Sequence, residues 1–195
     1  GDILISWLFS LFYKGYSNLK MSISALGNPK SPVRWPFNIW MLIEGILFLV
    51  ALPALYKYYH PVSSGAANLA IAFIAVFAVG ACIFTCFFSV NESKEMVTTA
   101  SKVHGIGSVL GFMLFLFVPL LIAILSFKNR ENGIGIVSIF CFAMALLFFA
   151  LFIMADKARF SNSAICNEGL WQRLCLIFMY FPLILIAGRR LLEIS

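Results

Sequence analysis

Long apolar stretches separated by short polar gaps dominate the pattern of this chain. The apolar stretches are continuous and do not alternate with polar residues, which favours helices over strands. Because a helix needs about 20 apolar residues to cross a hydrocarbon core, most of these stretches are long enough to span a membrane. The pattern therefore predicts an all-α, polytopic transmembrane helix bundle of about six helices in one domain, 1–195. The predicted helices cover about 3–13, 37–56, 69–90, 105–127, 134–155 and 174–187.

The first predicted helix is shorter than the others. Its apolar run of about 11 residues is too short to cross a bilayer alone. Because the chain opens on Gly1 rather than Met, we expect the first helix to be truncated, and a half-buried, tilted helix is the alternative. In the fourth helix a kink is expected at Pro119, since proline removes a backbone hydrogen bond.

The longest polar segment, 14–36, follows this first helix. Its most distinctive part, 22–38, contains three prolines, one glycine, two basic residues and one tryptophan. Proline restricts the backbone and so reduces the entropy that is lost when a loop becomes ordered. The composition indicates a shaped loop that folds over the mouth of the bundle.

Composition places the chain in a membrane. Hydrophobic residues make up 62% of the chain and charged residues 11%, whereas a soluble domain is roughly 45–50% apolar and about 25% charged. The net charge is +6, and we interpret the basic residues as anchors that hold the loops at lipid headgroups. Membrane lipids are therefore expected as partners, and nucleic acid is not. The five cysteines predict no disulfide framework, because the count is odd and the loops hold no pair.

Glu44 is the candidate polar group inside the second predicted helix. A carboxyl at that depth is costly and is expected to face the bundle interior or a cavity rather than lipid. It would either contact a ligand or headgroup, or serve as the structural partner of a polar group such as Asn38 or His104.

His104 opens the fourth predicted helix and shares one face with Ser108 at i+4. Gly107 and Gly111 form a GxxxG pattern, which permits close approach of a second helix. This face is therefore either a packing seam or an acid–base or headgroup-binding site.

Other chemistries have little support in the sequence. With only two histidines and no HExxH pattern, and with Cys82 and Cys86 lacking further ligands, no metal and no cofactor is expected. No GxSxG motif surrounds a serine. Transport would require several intramembrane polar groups or two related halves with broken helices, and neither is evident.

Several short motifs occur in order along the whole chain. They are Tyr-Ser at 16–17, Ile-Ser-Ala-Leu-Gly at 23–27, Pro29, Trp35, Phe-Asn at 37–38, His-Gly-Ile-Gly-Ser at 104–108 and Gly-Leu-Trp-Gln-Arg at 169–173. In the order and spacing of these motifs the chain resembles domain-of-unknown-function family 998, a bacterial and archaeal membrane family. The loop motif and the mid-chain histidine are also similar to a eukaryotic group that includes the damage-regulated autophagy modulators and the GPI-anchor lipid-remodelling proteins.

The resemblance implies a six-helix bundle in a prokaryotic plasma membrane, with no established activity. It also supports a truncated first helix. It places the first loop on the non-cytoplasmic side, whereas the larger number of basic residues on the side of that loop places it in the cytoplasm.

Three functional hypotheses follow. The first, which we favour, is a non-enzymatic protein that binds lipid or a partner through the 22–38 loop and the bundle mouth. Its binding residues would be Ser24, Arg34, Asn38, Glu44, His104, Ser108 and Arg173. The second is a membrane-embedded lipid-modifying enzyme with His104 as acid–base group and Glu44 orienting it, which requires a shared cavity. The third is an accessory subunit whose Phe-rich face packs against another membrane chain.

Overall fold

Six α-helices, labelled α1 to α6 in chain order, are present in the part of the chain that the structure describes. The computed structural model describes residues 1–91 and 98–194, and residues 92–97 and 195 lie outside the described part. The helices are α1 (Asp2–Ser10), α2 (Arg34–Tyr59), α3 (Ser64–Phe87), α4 (Thr99–Lys128), α5 (Asn132–Ala155) and α6 (Glu168–Ile194). The described residues contain no strand, so the all-α prediction is confirmed.

Helices α2 to α6 are the five that are long and apolar enough to cross a membrane. The 9 residues of α1 are too few for a crossing. The chain is therefore a multi-pass integral membrane protein. Because successive crossing helices run in opposite directions, the loops 11–33 and 156–167 lie at one end of the bundle, which we call the mouth. The turns 60–63 and 129–131 lie at the opposite end.

All six helices begin earlier than predicted, and three of these starts have a local reason. α2 begins at Arg34 instead of 37, because Pro36 fits the first turn of a helix, where its missing N–H is not needed. α4 begins at Thr99 instead of 105, because Thr98 and Ser101 form a capping box. α6 begins at Glu168 instead of 174, since an acidic residue is favourable in the first turn of a helix.

The other predicted ranges shift as well. α1 covers 2–10 rather than 3–13, α5 begins at 132 rather than 134, and the first loop covers 11–33 rather than 14–36. α3 covers 64–87 rather than 69–90. It includes small residues at its N-terminal end, and it ends before Phe88, whose backbone is extended (φ −120°, ψ 95°). α4 is interrupted at 116–117, and its second part, Val118–Lys128, has Pro119 in the first turn, in line with the predicted kink.

Helices α3 and α4 cross at close range. α3 contains a π-helical turn, Ala78–Ile83, and Gly80 in this turn contacts the backbone of Gly107. A Cβ atom on Gly80 would lie 2.5 Å from the carbonyl oxygen of Gly107, and one on Gly107 would lie 2.9 Å from that of Gly80. The GxxxG pattern is thus a packing seam, and it holds the first turns of α4 against α3.

Glu131 links three helices at the end opposite the mouth. It lies between α4 and α5 and is buried. Its carboxylate accepts a hydrogen bond from the Tyr58 hydroxyl of α2 and forms an ion pair with Arg189 of α6, with 3.1 Å between Nη1 and Oε1. Asn129 Nδ2 donates to the Tyr58 oxygen at 3.2 Å. This cluster ties the far end of the bundle together.

Replacing Glu131 by alanine should lower the stability of the fold. The change removes the acceptor of both contacts, and we expect the free energy of unfolding to fall by about 1–3 kcal/mol. That corresponds to a melting temperature lower by about 5 °C in detergent. Tyr58→Phe removes one hydroxyl only and should have a smaller effect. An unchanged melting temperature for Glu131→Ala would show that the cluster does not stabilise the bundle.

Candidate functional site

The first loop folds back onto the mouth of the bundle. Its 3₁₀ turn, Ile23–Gly27, buries the side chains of Ile23 and Leu26 in the hydrophobic core. A side chain cannot replace Gly27 without displacing its neighbours, because a Cβ there would lie 2.8 Å from Asn38 Oδ1 and 3.0 Å from the Phe37 ring. The Ile-Ser-Ala-Leu-Gly motif therefore packs directly against the N-terminal turns of α2.

Arg173 of α6 ties this loop to the bundle. Its Nη1 donates to the carbonyl oxygens of Asn18 (2.8 Å), Met21 (3.2 Å) and Gly169 (2.9 Å). Its Nη2 donates to the Tyr16 hydroxyl oxygen at 2.8 Å and to Asn18 Oδ1 at 2.9 Å. Because most of these acceptors belong to the first loop, the buried guanidinium is a clamp that sets the path of the loop.

Neighbours of the clamp hold the same loop. Gln172 Oε1 accepts a hydrogen bond from the Ile23 backbone N–H at 2.7 Å. Gly169 lies against the backbone of the loop, where a Cβ atom would collide with the carbonyl oxygen of Met21. The Gly-Leu-Trp-Gln-Arg motif at 169–173 is thereby explained, since its glycine, glutamine and arginine all contact the first loop.

Tyr16 connects the clamp to the loop motif. Its hydroxyl donates to the Ser22 carbonyl oxygen at 2.8 Å and accepts from Arg173. Burial raises the pKa of the Tyr16 hydroxyl above its ordinary value, and the Arg173 charge acts in the opposite direction. The hydroxyl therefore keeps its proton at neutral pH and remains a donor.

A small polar cavity, which we call the inner chamber, lies beneath the loop. Its volume is about 80 Å³, which is enough for a few water molecules. Its polar wall consists of Asp2, Ser24, Thr85, His104, Ser108 and Gln172. Its apolar wall consists of Ile23, Phe37, Met41, Phe77, Ala81, Phe112 and Leu176. The loop, the seam between α3 and α4, and the start of α6 thus enclose one polar space.

His104 is held in one orientation on the chamber wall. Its Nδ1 lies 2.9 Å from the carbonyl oxygen of Phe88. A carbonyl oxygen can only accept, so Nδ1 carries the proton and Nε2 of the neutral ring is an acceptor. The Ser108 hydroxyl lies 3.4 Å from Nε2 and donates toward it. Both ring nitrogens of His104 therefore have protein partners, and the extended end of α3 sets its tautomer.

A larger cavity, which we call the outer groove, adjoins the chamber. Its volume is about 580 Å³, within the roughly 300–1,000 Å³ of typical ligand pockets. Its apolar wall, from α4 and α5, includes Val109, Met113, Phe149, Phe152 and Ile153, and its rim includes Lys20, Ser22, Asn91 and Glu168. The two cavities share Ser24, Ser108, Phe112 and Gln172 as lining residues, so they are adjacent.

Asp2 is a site residue that the sequence analysis missed. Its side chain is 5% exposed, and its Oδ2 accepts a hydrogen bond from the Tyr180 hydroxyl of α6 at 2.8 Å. Asp2, Ser6 and Ser10 are all buried and recur every four residues along α1. That spacing forms a polar stripe on one helix face, and it is the signal that could have identified Asp2.

Glu44 is buried, as predicted, with 7% of its surface exposed. It lies on the wall of neither described cavity, and its electrostatic neighbours are Asp2 and Trp40. Glu44 and His104 therefore share neither of these two cavities, which weakens the support for the pair required by the enzyme hypothesis. The carboxyl group that does line the chamber with His104 belongs to Asp2.

The structure places the other predicted residues at different positions around the mouth. Ser24, His104 and Ser108 line the chamber, whereas Arg173 clamps the loop. Arg34 lies over the ring of its neighbour Trp35, 5.5 Å from the centroid, and Asn38 is buried beside Gly27. Within the described residues, no three His, Cys, Asp or Glu side chains are grouped to hold a metal ion.

Comparison with protein families identifies one match that covers nearly the whole chain. Residues 3–189 match the family described as "Protein of unknown function (DUF998)". The match includes the loop motif, the His104 face and the motif around the Arg173 clamp. Comparison with curated proteins and with solved structures gave no match. The family match alone is extensive enough to decide membership, and this chain belongs to the DUF998 family.

Proposed function

We propose that the protein binds a membrane amphiphile, with its polar group in the inner chamber and its hydrocarbon chain in the outer groove. The observation that carries this proposal is that a polar chamber lies next to a larger, mainly apolar groove and shares four lining residues with it. An amphiphile has the same two parts in the same order. The groove lies between α4 and α5, two membrane-crossing helices, so a lipid can enter it sideways from the bilayer.

The polar end should decide which amphiphile is bound. The transfer of a hydrocarbon chain from lipid into an apolar protein groove releases little free energy, because lipid tails are as apolar as the groove wall. Discrimination then depends on hydrogen bonds and charges around the headgroup. In this protein those groups are on the chamber wall and the rim, beneath and beside the clamped first loop.

The loop acts as a pre-formed cover in this proposal. Its backbone is held by Arg173 and Gln172 without help from a ligand. A loop that is already ordered loses less entropy on binding. Ser24 is presented by this loop to both cavities, which places it at the junction between headgroup and chain.

Two other hypotheses from the sequence have weaker support. The lipid-modifying enzyme hypothesis is weakened, since of Glu44 and His104 only His104 is on the chamber wall. The accessory subunit stays a prediction, as does the prokaryotic plasma membrane as location. Binding of a protein partner instead of lipid is an outcome of the experiment below.

Photo-cross-linking tests the amphiphile proposal directly. The protein is placed in liposomes with a trace of glycerophospholipid that carries a diazirine in its acyl chain, and the labelled peptides are mapped. We expect labelling to concentrate on the groove wall around Val109, Met113 and Phe152 and to be competed by unlabelled lipid. Labelling that spreads evenly over the lipid-facing helices and does not saturate would contradict the proposal and favour a protein partner.

A pair of tryptophan variants on α4 supplies the control. Met113→Trp fills the groove and should reduce the saturable labelling at least about fivefold, equivalent to about 1 kcal/mol of binding. Ile106→Trp places the same side chain on an exposed position outside the groove, 71% exposed in the native chain, and should leave labelling unchanged. Equal effects of both variants would show that the groove is not the binding site.

A further inference from the structure

We infer that the inner chamber accepts a primary ammonium group, so that the bound amphiphile is an aminophospholipid. This inference rests on the proposed function, since it names the headgroup for the same site. Two features of the chamber support it. Several of its hydrogen-bonding groups have an unused lone pair, and the charges around the chamber favour a cation.

Three side chains of the chamber wall give their protons to protein acceptors. Thr85 Oγ1 donates its proton to the Ala81 carbonyl oxygen at 2.6 Å, and His104 donates Nδ1–H to Phe88. Ser108 donates toward His104 Nε2. Together with Asp2, these residues leave a set of acceptors for a ligand, namely the Thr85 and Ser108 hydroxyl oxygens and the Asp2 carboxylate. A ligand that fits this set must supply donors.

Charge on the chamber wall favours a cation. Asp2 is its one acidic group, and no lysine or arginine is present among the residues that form the wall. The closest guanidinium, that of Arg173, directs both terminal nitrogens to the first loop and to α6. An anionic group in the chamber would face the Asp2 carboxylate without a compensating basic residue on the wall. An ammonium group has three donors and no acceptor, which matches the wall.

Lys20 is the basic residue among those that line the outer groove, and it lies exposed at the rim, where Glu168 supplies a negative charge. A phosphate at the rim and an ammonium in the chamber would be joined across the shared wall of Ser24 and Gln172. A short ethanolamine-type linker provides this order of charges. A trimethylammonium group has no N–H to donate, and a glycerol headgroup has no positive charge to pair with Asp2.

Lipid competition in the native protein tests this inference. Unlabelled phosphatidylethanolamine, phosphatidylcholine and phosphatidylglycerol with identical acyl chains compete with the diazirine lipid for the full-length protein in liposomes. We expect phosphatidylethanolamine to compete at least about tenfold better than the other two, and stepwise N-methylation to weaken competition at each step. Equal competition by all three lipids, or a preference for phosphatidylglycerol, would overturn the inference while leaving amphiphile binding in place. Absence of saturable labelling by any lipid would instead overturn the proposed function.

Two carboxyl variants assign the preference to the chamber. Asp2→Asn should remove the preference for phosphatidylethanolamine but keep saturable labelling of the groove. Glu44→Gln is the matched control, because Glu44 is a buried carboxyl close to Asp2 that lies outside the chamber wall, and it should keep the preference. A preference that survives Asp2→Asn would overturn the inference. If Asp2→Asn fails to fold, the N-methylation series in the native protein still tests whether a primary ammonium group is preferred.

Discussion

Replacing Arg173 by methionine should release the first loop and expose it to protease. The side chain is similar in length but cannot donate, so the hydrogen bonds to Tyr16, Asn18, Met21 and Gly169 are lost. The buried carbonyl and hydroxyl acceptors of this network are left unpaired, which costs about 1–3 kcal/mol for each such group. We expect trypsin to cut after Lys20 at least about tenfold faster and the melting temperature to fall by about 10 °C.

Arg159→Met is the matched control for this change. Arg159 is an exposed arginine in the 156–167 loop at the same end of the bundle, where it lies over the Phe160 ring at 5.7 Å. Its replacement should change neither the cleavage after Lys20 nor the melting temperature by more than a small amount, since exposed contacts contribute about 1 kcal/mol or less. If Arg173→Met leaves the loop as resistant as in the native protein, Arg173 is not the clamp.

Replacing Gly80 by valine should separate α3 from α4 and disrupt the chamber. A Cβ there would lie 2.5 Å from the Gly107 carbonyl oxygen, and a backbone oxygen cannot rotate away. Overpacking of this kind costs about 1–3 kcal/mol. Because Thr85 of α3 and His104 of α4 form opposite parts of the chamber wall, their separation should also abolish the saturable lipid labelling. Melting temperature and photo-cross-linking measure the two effects.

Gly65→Val serves as the comparison on the same helix. A Cβ on Gly65 meets nothing within 4 Å, so valine is accommodated without a clash. The free energy of unfolding should change by no more than a few tenths of a kcal/mol, because valine is a slightly better helix former than glycine. A Gly80→Val protein that is as stable as the Gly65→Val protein would show that the helices can move apart freely and that the close crossing is not required.

The sequence predicted the helices better than their ends. Apolar length alone is sufficient for a membrane-crossing helix, because the bilayer sets a minimum length that soluble folds lack. The ends depend on single contacts, such as the capping box at Thr98 or Pro36 in the first turn of α2. The composition predicts a shaped first loop but not its anchor, since Arg173 is predicted as a binding residue and in the structure donates to the backbone of the loop.

Which side chains share a cavity could not be predicted from the sequence. The depth of a residue follows from its position along a helix, at about 1.5 Å per residue. The direction in which a side chain points around the helix axis cannot be predicted in this way. Helices α2 and α5 are apolar on nearly every side, so their sequences do not indicate which face is buried. Glu44 and His104 were paired by depth, yet the packing of α1 places Asp2 on the chamber wall instead.

The sequence by itself determined that this is a multi-pass α-helical membrane protein of the DUF998 family, with a shaped first loop at the end of the bundle where His104 lies. These properties depend on hydrophobic length and on short local motifs, which are readable residue by residue. The tertiary structure alone decided that the loop is clamped by Arg173, that Gly80 and Gly107 bring α3 and α4 together, and that Asp2 rather than Glu44 lines the chamber. The physical reason is that these contacts join residues far apart in the chain, and helix rotation and packing, not composition, determine which of them meet.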